Sequence, residues 1–527
     1  MKILYLVIIL SSCILVMAIV QPVHAQIGRS YFGSLQPKIA VSGNNIDIVW
    51  QYWNPDRAVY MVTSNDSGTT LGDKTNLSKN STAFFSFGNM VTSKNNIYYA
   101  WENNSLPYTP RLFLMTSADA GLTFGKPVLI ASHDRYFNEE MELDKVLASG
   151  KNVYVIWSTN RDYDGRSFGT IFLSKSTDGG LDFASPVPIN TPDTNWSGLE
   201  TATSGNKTYF LWQSIVNSTC IQGRCDSQIH LRSADRNGTL GDTFSPLVLD
   251  KAEQVQLTAS GDNVYLTGVI FEPNYTSITS NGLKVLTPAA SPRYVFFTKS
   301  DDGGATFGNV ANLNGSKYYC TPSGMNWQCS LGNPYSYVSG RDVYIIWDAT
   351  NYTANDREAF FANSVDGGNT FGKTVKLDPF NLDNIDCDHV EQCVSVDAPL
   401  ASNGTVYLAW SAYNINSYHD AAVFAKSTDG GKTLDYTDIS NSTGITTTPV
   451  IARGSGDTIY VAGLRSGFQE GSHAIFAKST DGGNSFDMGV DLDMLQEMPV
   501  PEFPFAVPIL LIGFISVIVF YRTKIVK

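Results

Sequence analysis

The chain has 527 residues, of which 43% are hydrophobic and 16% charged, and its formal net charge is −13. That length is ample for a large buried core and would ordinarily divide into several domains. The acidic balance excludes a basic nucleic-acid-binding surface, because phosphate backbones are met by clustered Lys and Arg.

The chain opens with Lys2 and a long apolar run that closes on Val23-His24-Ala25. This is the form of a secretory signal over residues 1–25, with cleavage after Ala25; an uncleaved N-terminal anchor is the rival reading. At the other end, residues 503–521 are uncharged and mostly apolar, and Arg522, Lys524 and Lys527 follow. The run is just long enough to span a bilayer. The basic tail 522–527 is then expected in the cytoplasm, with 492–502 as a linker and the rest outside. The expected location is the cell surface, with the ectodomain anchored in the plasma membrane by this C-terminal helix.

Between the two ends, residues 26–491 are organised by one phrase used eight times. Its cleanest copy is Ser479-Thr480-Asp481-Gly482-Gly483-Asn484-Ser485-Phe486, and the others centre on Asp66, Asp119, Asp178, Asp235, Asp302, Asp366 and Asp429. Most fit Ser-x-Asp-x-Gly-x-(Thr/Ser)-(Phe/Leu), the chemistry of a tight turn. The carboxylate accepts backbone N–H bonds from residues just ahead, and the Gly permits a positive φ. The closing Phe or Leu turns back onto the core. The copy at Asp178 has Asp182 in place of Thr, and the copy at Asp235 carries an extra residue that displaces its Gly to Gly238. Eight copies at intervals of roughly 50 to 70 residues define a repeat architecture.

Each repeat holds short segments rich in Val, Ile, Tyr and Phe, which read as strands. The second segment often ends in Trp: Trp50, Trp101, Trp157, Trp212, Trp347 and Trp410. These could form a sugar-stacking platform, but they share strand parity with apolar neighbours such as Val153 and Val155, and packing between repeats is the preferred reading. Four antiparallel strands, A to D, repeated eight times predict an all-β protein, a β-propeller of about eight blades.

The A–B turns and the Asp turns fall on one face of such a ring, and the B–C and D–A loops on the other. Variable loops on a rigid scaffold are where function sits. The loop-face candidates are Arg57, Glu102, Arg135, Glu139, Arg161, Asp162, Arg166, Asp348 and His389. Glu139, Glu140, Glu142 and Asp144 supply enough carboxylates for a glycosidase acid and base, although spacing in a loop does not set the distance between them. Asp383, Asp386 and Asp388 could meet Ca²⁺, and His133, His389, His419 and His473 a metal. Neither group has a ligand-spacing motif, so the expectation is no cofactor.

Cys13 lies in the signal. The other six cysteines form close pairs, Cys220/Cys225, Cys320/Cys329 and Cys387/Cys393, which in a secreted chain suggest loop-stapling disulfides. A metal site is the alternative. Sequons at Asn195, Asn206, Asn217, Asn274 and Asn403 would admit glycosylation.

The turn phrase resembles the Asp-box, or bacterial neuraminidase repeat, of sialidase-like propellers. In that family the Asp-box is structural, so the eight Asp residues carry no implied catalytic role. Sialidases clamp the substrate carboxylate with three arginines, a task suited to planar guanidinium groups. The first usually sits in an Arg-Ile-Pro phrase, and the corresponding phrase here is Leu35-Gln36-Pro37. No motif marks a Tyr–Glu nucleophile pair. The tail Val500-Pro501-Glu502-Phe503-Pro504 with its apolar run and basic end resembles the Pro-Glu-Phe sorting tails of archaeal surface proteins. Such tails are cut by a sortase in that group, so cleavage and simple retention both stay open. The expected function is a surface-anchored module, non-catalytic, that binds glycans or cell-surface proteins; the alternative is an exo-sialidase-like glycoside hydrolase.

Overall fold

The computed structural model describes residues 34–497 apart from several internal stretches, the longest being 79–87, 216–226 and 378–393. The expected signal, transmembrane run and basic tail lie outside the described residues. Among those described, no helix is long and apolar enough to cross a membrane.

Eight antiparallel sheets of four-strand pattern follow one another along the chain. In the first, Ser34–Ser42, Asn45–Tyr52, Ala58–Ser64 and Thr75–Asn76 pair in sequence order as strands A to D. Blades 2 to 8 cover residues 89–132, 139–188, 196–244, 252–312, 335–377, 394–438 and 447–491. The D strands are short; in blade 3 only Val187–Pro188 pairs.

Each B strand is apolar on both sides because each blade is sandwiched between two others. In blade 3, Val153, Val155 and Trp157 pack against blade 2, while Tyr154 and Ile156 pack against blade 4. Eight hydrophobic clusters result, one per seam, including one between blades 8 and 1. The ring is therefore closed, which removes long unpaired edges.

The six tryptophans are packing residues, all at most 5% exposed. Four stack on the strand-C residue opposite, Trp101 on Phe113, Trp157 on Phe172, Trp212 on His230 and Trp347 on Phe360, and Trp50 leans against Tyr60 at a tilt. In blades 5 and 8 the register puts Gly268 and Gly463 at this position. A Cβ on Gly463 would sit 2.4 Å from Ile445 Cγ2 and 3.0 Å from the Thr447 carbonyl, so strand A and the residues leading into it fill the space an indole takes elsewhere.

Seven of the eight Asp turns share one hydrogen-bond set. The buried Ser hydroxyl donates to Asp Oδ1 at 2.7–2.8 Å and accepts the N–H of the turn Gly. In six of them the Thr or Ser hydroxyl also donates to Asp Oδ2; Asp182 offers no such donor in blade 3. The Gly has a second duty. Gly368 has φ +83°, and a Cβ there would meet Phe297 of the preceding blade at 2.5 Å. The closing Phe371 packs edge-on against the same Phe297. The turn at Asp235 is different. Ala234 takes the buried Ser position, and Asp235 accepts from the N–H groups of Asn237 and Thr239 in a tighter hairpin.

Ring closure, which the sequence leaves open, is by a latch rather than a shared blade. Past blade 8, residues 492–497 cross to blade 1 and form a parallel bridge, Lys74 to Glu497. Asp493 accepts from Trp50 Nε1 of blade 1 at 2.8 Å and from Ala474 N of blade 8 at 3.1 Å, and Lys74 Nζ donates to its carbonyl.

No disulfide is seen among the described residues, and the side chains of the expected pairs Cys220/Cys225, Cys320/Cys329 and Cys387/Cys393 all lie outside them. Cys220, Cys225, Cys329, Cys387 and Cys393 lie outside the described residues. Cys320 is not in a loop but on strand Tyr318–Ser323, opposite Ser291, and its side chain also lies outside them.

Candidate functional site

The A strands of successive blades pack side by side at the centre of the ring. Register sets Lys38, Asn89, Lys145, Glu200, Gln256 and Tyr335 at one level, opposite equivalent residues of their B strands. Their side chains knit neighbouring blades together. Gln256 Nε2 donates to Glu200 Oε1 at 2.9 Å, and Lys145 Nζ to the Thr201 carbonyl at 3.4 Å. Enclosure lowers the Lys38 pKa, and the Lys145 charge adds to this. Burial raises that of Glu200, opposed by Lys145 and the Gln256 bond. Lys38, Gln51 and Tyr99 border a small hollow between blades 1 and 2. The Tyr99 hydroxyl there is buried without a hydrogen-bond partner among the described residues, and burial pushes its pKa up.

Toward the B–C loops lies a group of carboxyls across the seam of blades 2 and 3. Asp144 is pushed up to about 8, first by burial and then by the charges of Glu142 and Glu102, with the Ser158 hydroxyl opposing. Glu102 is 4% exposed, whereas Glu142 is open to solvent. Burial thus favours the protonated form of Asp144 beside the more exposed Glu142, an arrangement of the kind acid–base chemistry uses. On blade 5, Arg293 is 5% exposed and reaches Glu253 at 3.4 Å and Gln254 at 3.3 Å. This is where Gly268 replaces the usual indole.

The loop candidates sort unevenly. Glu102 joins the carboxyl group just described. Asp348 occupies the same position of blade 6, on the other side of the ring, where Gly332 runs against it so closely that a Cβ would lie 2.0 Å from Oδ1. Glu139, Glu142 and Asp144 are not in a loop but on strand Glu139–Ser149. Likewise Arg161 and Asp162 end strand Asn152–Tyr163 and Arg166 begins strand Arg166–Ser176, with Arg161 paired to Glu139 and Tyr163 to Arg166. What reads as a polar loop is a hairpin that lengthens blade 3, because Thr, Asn, Arg and Tyr alternate as well in a strand as apolar residues do. The side chains of Glu139, Arg161, Asp162 and Arg166, and the whole of Arg57, Arg135 and His389, lie outside the described residues. So do Asp383, Asp386 and Asp388, His133 and the side chain of His419.

Lys38, Lys145, Glu200, Gln256 and Arg293 escape a sequence reading that looks for function in loops. The available signal is a charged or amide residue at one fixed register of successive A strands. Among the described residues, one group could hold a metal: His473, Asp491 and Asp493. Asp491 already accepts from Arg465 at 2.5 Å, and Asp493 accepts from Trp50 and Ala474 in the latch, so both carboxylates are engaged within the fold.

No family model matches the chain, and no curated protein matches it. Among solved structures it is similar to an ulvan lyase (11% identity over 90% of this chain and 98% of that one, TM-score 0.42). It is also similar to an α-L-arabinanase from Penicillium chrysogenum (12%, 60% and 89%, 0.34) and to the endosialidase of phage phi92 (10%, 90% and 79%, 0.35). At these values neither activity nor residue roles pass from them.

Proposed function

We propose that the chain is a surface-anchored propeller that binds glycans at the loop-face end of its inner strands. The observation that carries this reading is the polar set on the inner strands: Lys38, Lys145, Glu200 and Gln256 at one level, with Arg293 and Glu253 nearby. Closed rings use their inner strands for packing, and hydroxyl-rich ligands need fixed donors and acceptors on rigid elements. The lengthened hairpin of blade 3 and the inserted hairpin of blade 5, Asn274–Ser280 with Leu283–Ala289, extend the loop-face side. The repeat's likeness to the Asp-box supports a carbohydrate role, and the two terminal segments support a cell-surface location.

A second reading has a specific observation behind it. Asp144 beside Glu102 and Glu142 would serve a glycoside hydrolase as general acid with a neighbouring carboxylate. The test is incubation of the purified protein with a panel of neutral and acidic glycans, following retention and released sugars by mass spectrometry. Retention without release is expected. Release that disappears in Asp144→Asn would install the hydrolase reading instead, and neither retention nor release would overturn both.

A further inference from the structure

The repeat provides its own control for one departure. The strand-C residue opposite the Trp position is Tyr60, Phe113, Phe172, Phe296, Phe360, Val423 and Ile475 in seven blades. In blade 4 it is His230, which keeps the stacking on Trp212 at 5.3 Å between centroids. Packing alone does not call for an imidazole. Both ring nitrogens are engaged: Nε2 lies 2.6 Å from Ser214 Oγ and Nδ1 lies 2.8 Å from Ser245 Oγ. One neutral tautomer satisfies the row, with Nδ1–H donating to Ser245 and Nε2 accepting the Ser214 proton. Burial lowers the His230 pKa, which keeps that form at neutral pH.

We propose that Ser214, His230 and Ser245 form a nucleophile, base and orienting group at the loop-face end of blade 4, a hydrolytic site for carboxylic esters. The matching pattern is a serine within hydrogen-bond reach of a base that a third group fixes. Trp196 pairs with Ser214 across the strands, and its buried indole N–H has no partner among the described residues, so a donor for an ester carbonyl is at hand on the same sheet face. In the first step Ser214 Oγ bonds to the ester carbonyl carbon while its proton passes to His230 Nε2. The alcohol leaves with that proton, giving an acyl-Ser214. Water, deprotonated by His230, then releases the carboxylic acid and restores the serine. The substrate class is small acyl esters, such as O-acetyl groups on a hydroxylated ligand.

The test is labelling of the full chain with a fluorophosphonate probe and hydrolysis of p-nitrophenyl acetate. Labelling at Ser214 is expected, lost in Ser214→Ala, with hydrolysis reduced at least about 100-fold in His230→Gln. In Ser245→Ala the pH–rate profile should move, because Ser245 is a positioning residue for the ring. Thermal melts of each variant separate a lost site from a lost fold. Absence of label on the folded wild-type chain, or label that persists in folded Ser214→Ala, would overturn the proposal. Glycan retention at the inner strands should be unchanged in Ser214→Ala, so this site and the binding site stand or fall separately.

Discussion

Asp47 shows how one residue can depart from a repeat and leave a measurable mark. At its position, opposite the residue before the turn serine, the other seven blades carry tyrosine: Tyr98, Tyr154, Tyr209, Tyr265, Tyr344, Tyr407 and Tyr460. Tyr98 shows what the tyrosine does, its hydroxyl donating to the Gly150 carbonyl of the next blade at 3.1 Å. Asp47 is too short for that reach. It is 2% exposed, and burial pushes its pKa up to about 7. An acid whose folded pKa lies above its unfolded value favours folding most when protonated. Its contribution therefore falls as pH rises from about 4 to about 7. Asp47→Asn should stabilise the protein at pH 8 by roughly 1–3 kcal/mol, the scale of an unpaired buried polar group. The gain should shrink at pH 4, and paired thermal melts read both values.

At the scale of elements, the Asp turn is where sequence and structure agree most closely. Its chemistry is local, so eight copies of a phrase suffice to read it. Ser364, hydrogen-bonded to Asp366 and to Gly368 N–H, is buried. Ser364→Ala should cost about 1–3 kcal/mol. Ser233→Ala should be nearly neutral, since blade 4 puts Ala234 in the corresponding place. The turn carboxylates carry the opposite pH sign from Asp47. Hydrogen bonds from Thr70 and Ser64 hold Asp66 down at about 2, so the stability it gives is present above its unfolded pKa and is lost as pH falls toward 2. Acid titration of Ser364→Ala against wild type should show a shallower loss in that window. Elements set by long-range contacts are less legible. The blade 3 hairpin reads as a loop because its outer positions are polar. The seven pairs from Ile156 to Asp162 mix both kinds of residue, and only pairing in three dimensions distinguishes them. The inner-strand polar set escapes for a related reason: Lys38, Lys145 and Glu200 are far apart in the chain, and only the ring puts them at one level.

At the scale of the whole molecule, closure depends on a short segment. A propeller with eight complete blades has one seam not spanned by a covalent crossover, between blades 8 and 1. Asp493 fastens it by bonding Trp50 and Ala474. Asp493→Ala should leave Trp50 Nε1 buried and unpaired, lower the melting temperature and open the seam first. Limited proteolysis should then cut near residues 497 and 34 before the interior blades. The fold is legible because repetition amplifies a weak local signal; the ligand is not, because it is met once, by residues from several blades.

If the ring binds glycans through its inner strands, retention depends on Lys145 and Glu200. The most direct measurement compares glycan retention by the wild type, by Lys145→Ala with Glu200→Gln, and by Asn44→Ala on the opposite face. The double variant should lose retention at least about tenfold, a loss of about 1.4 kcal/mol or more, while Asn44→Ala retains it in full. Equal retention by all three, with melts showing each folded, would contradict it.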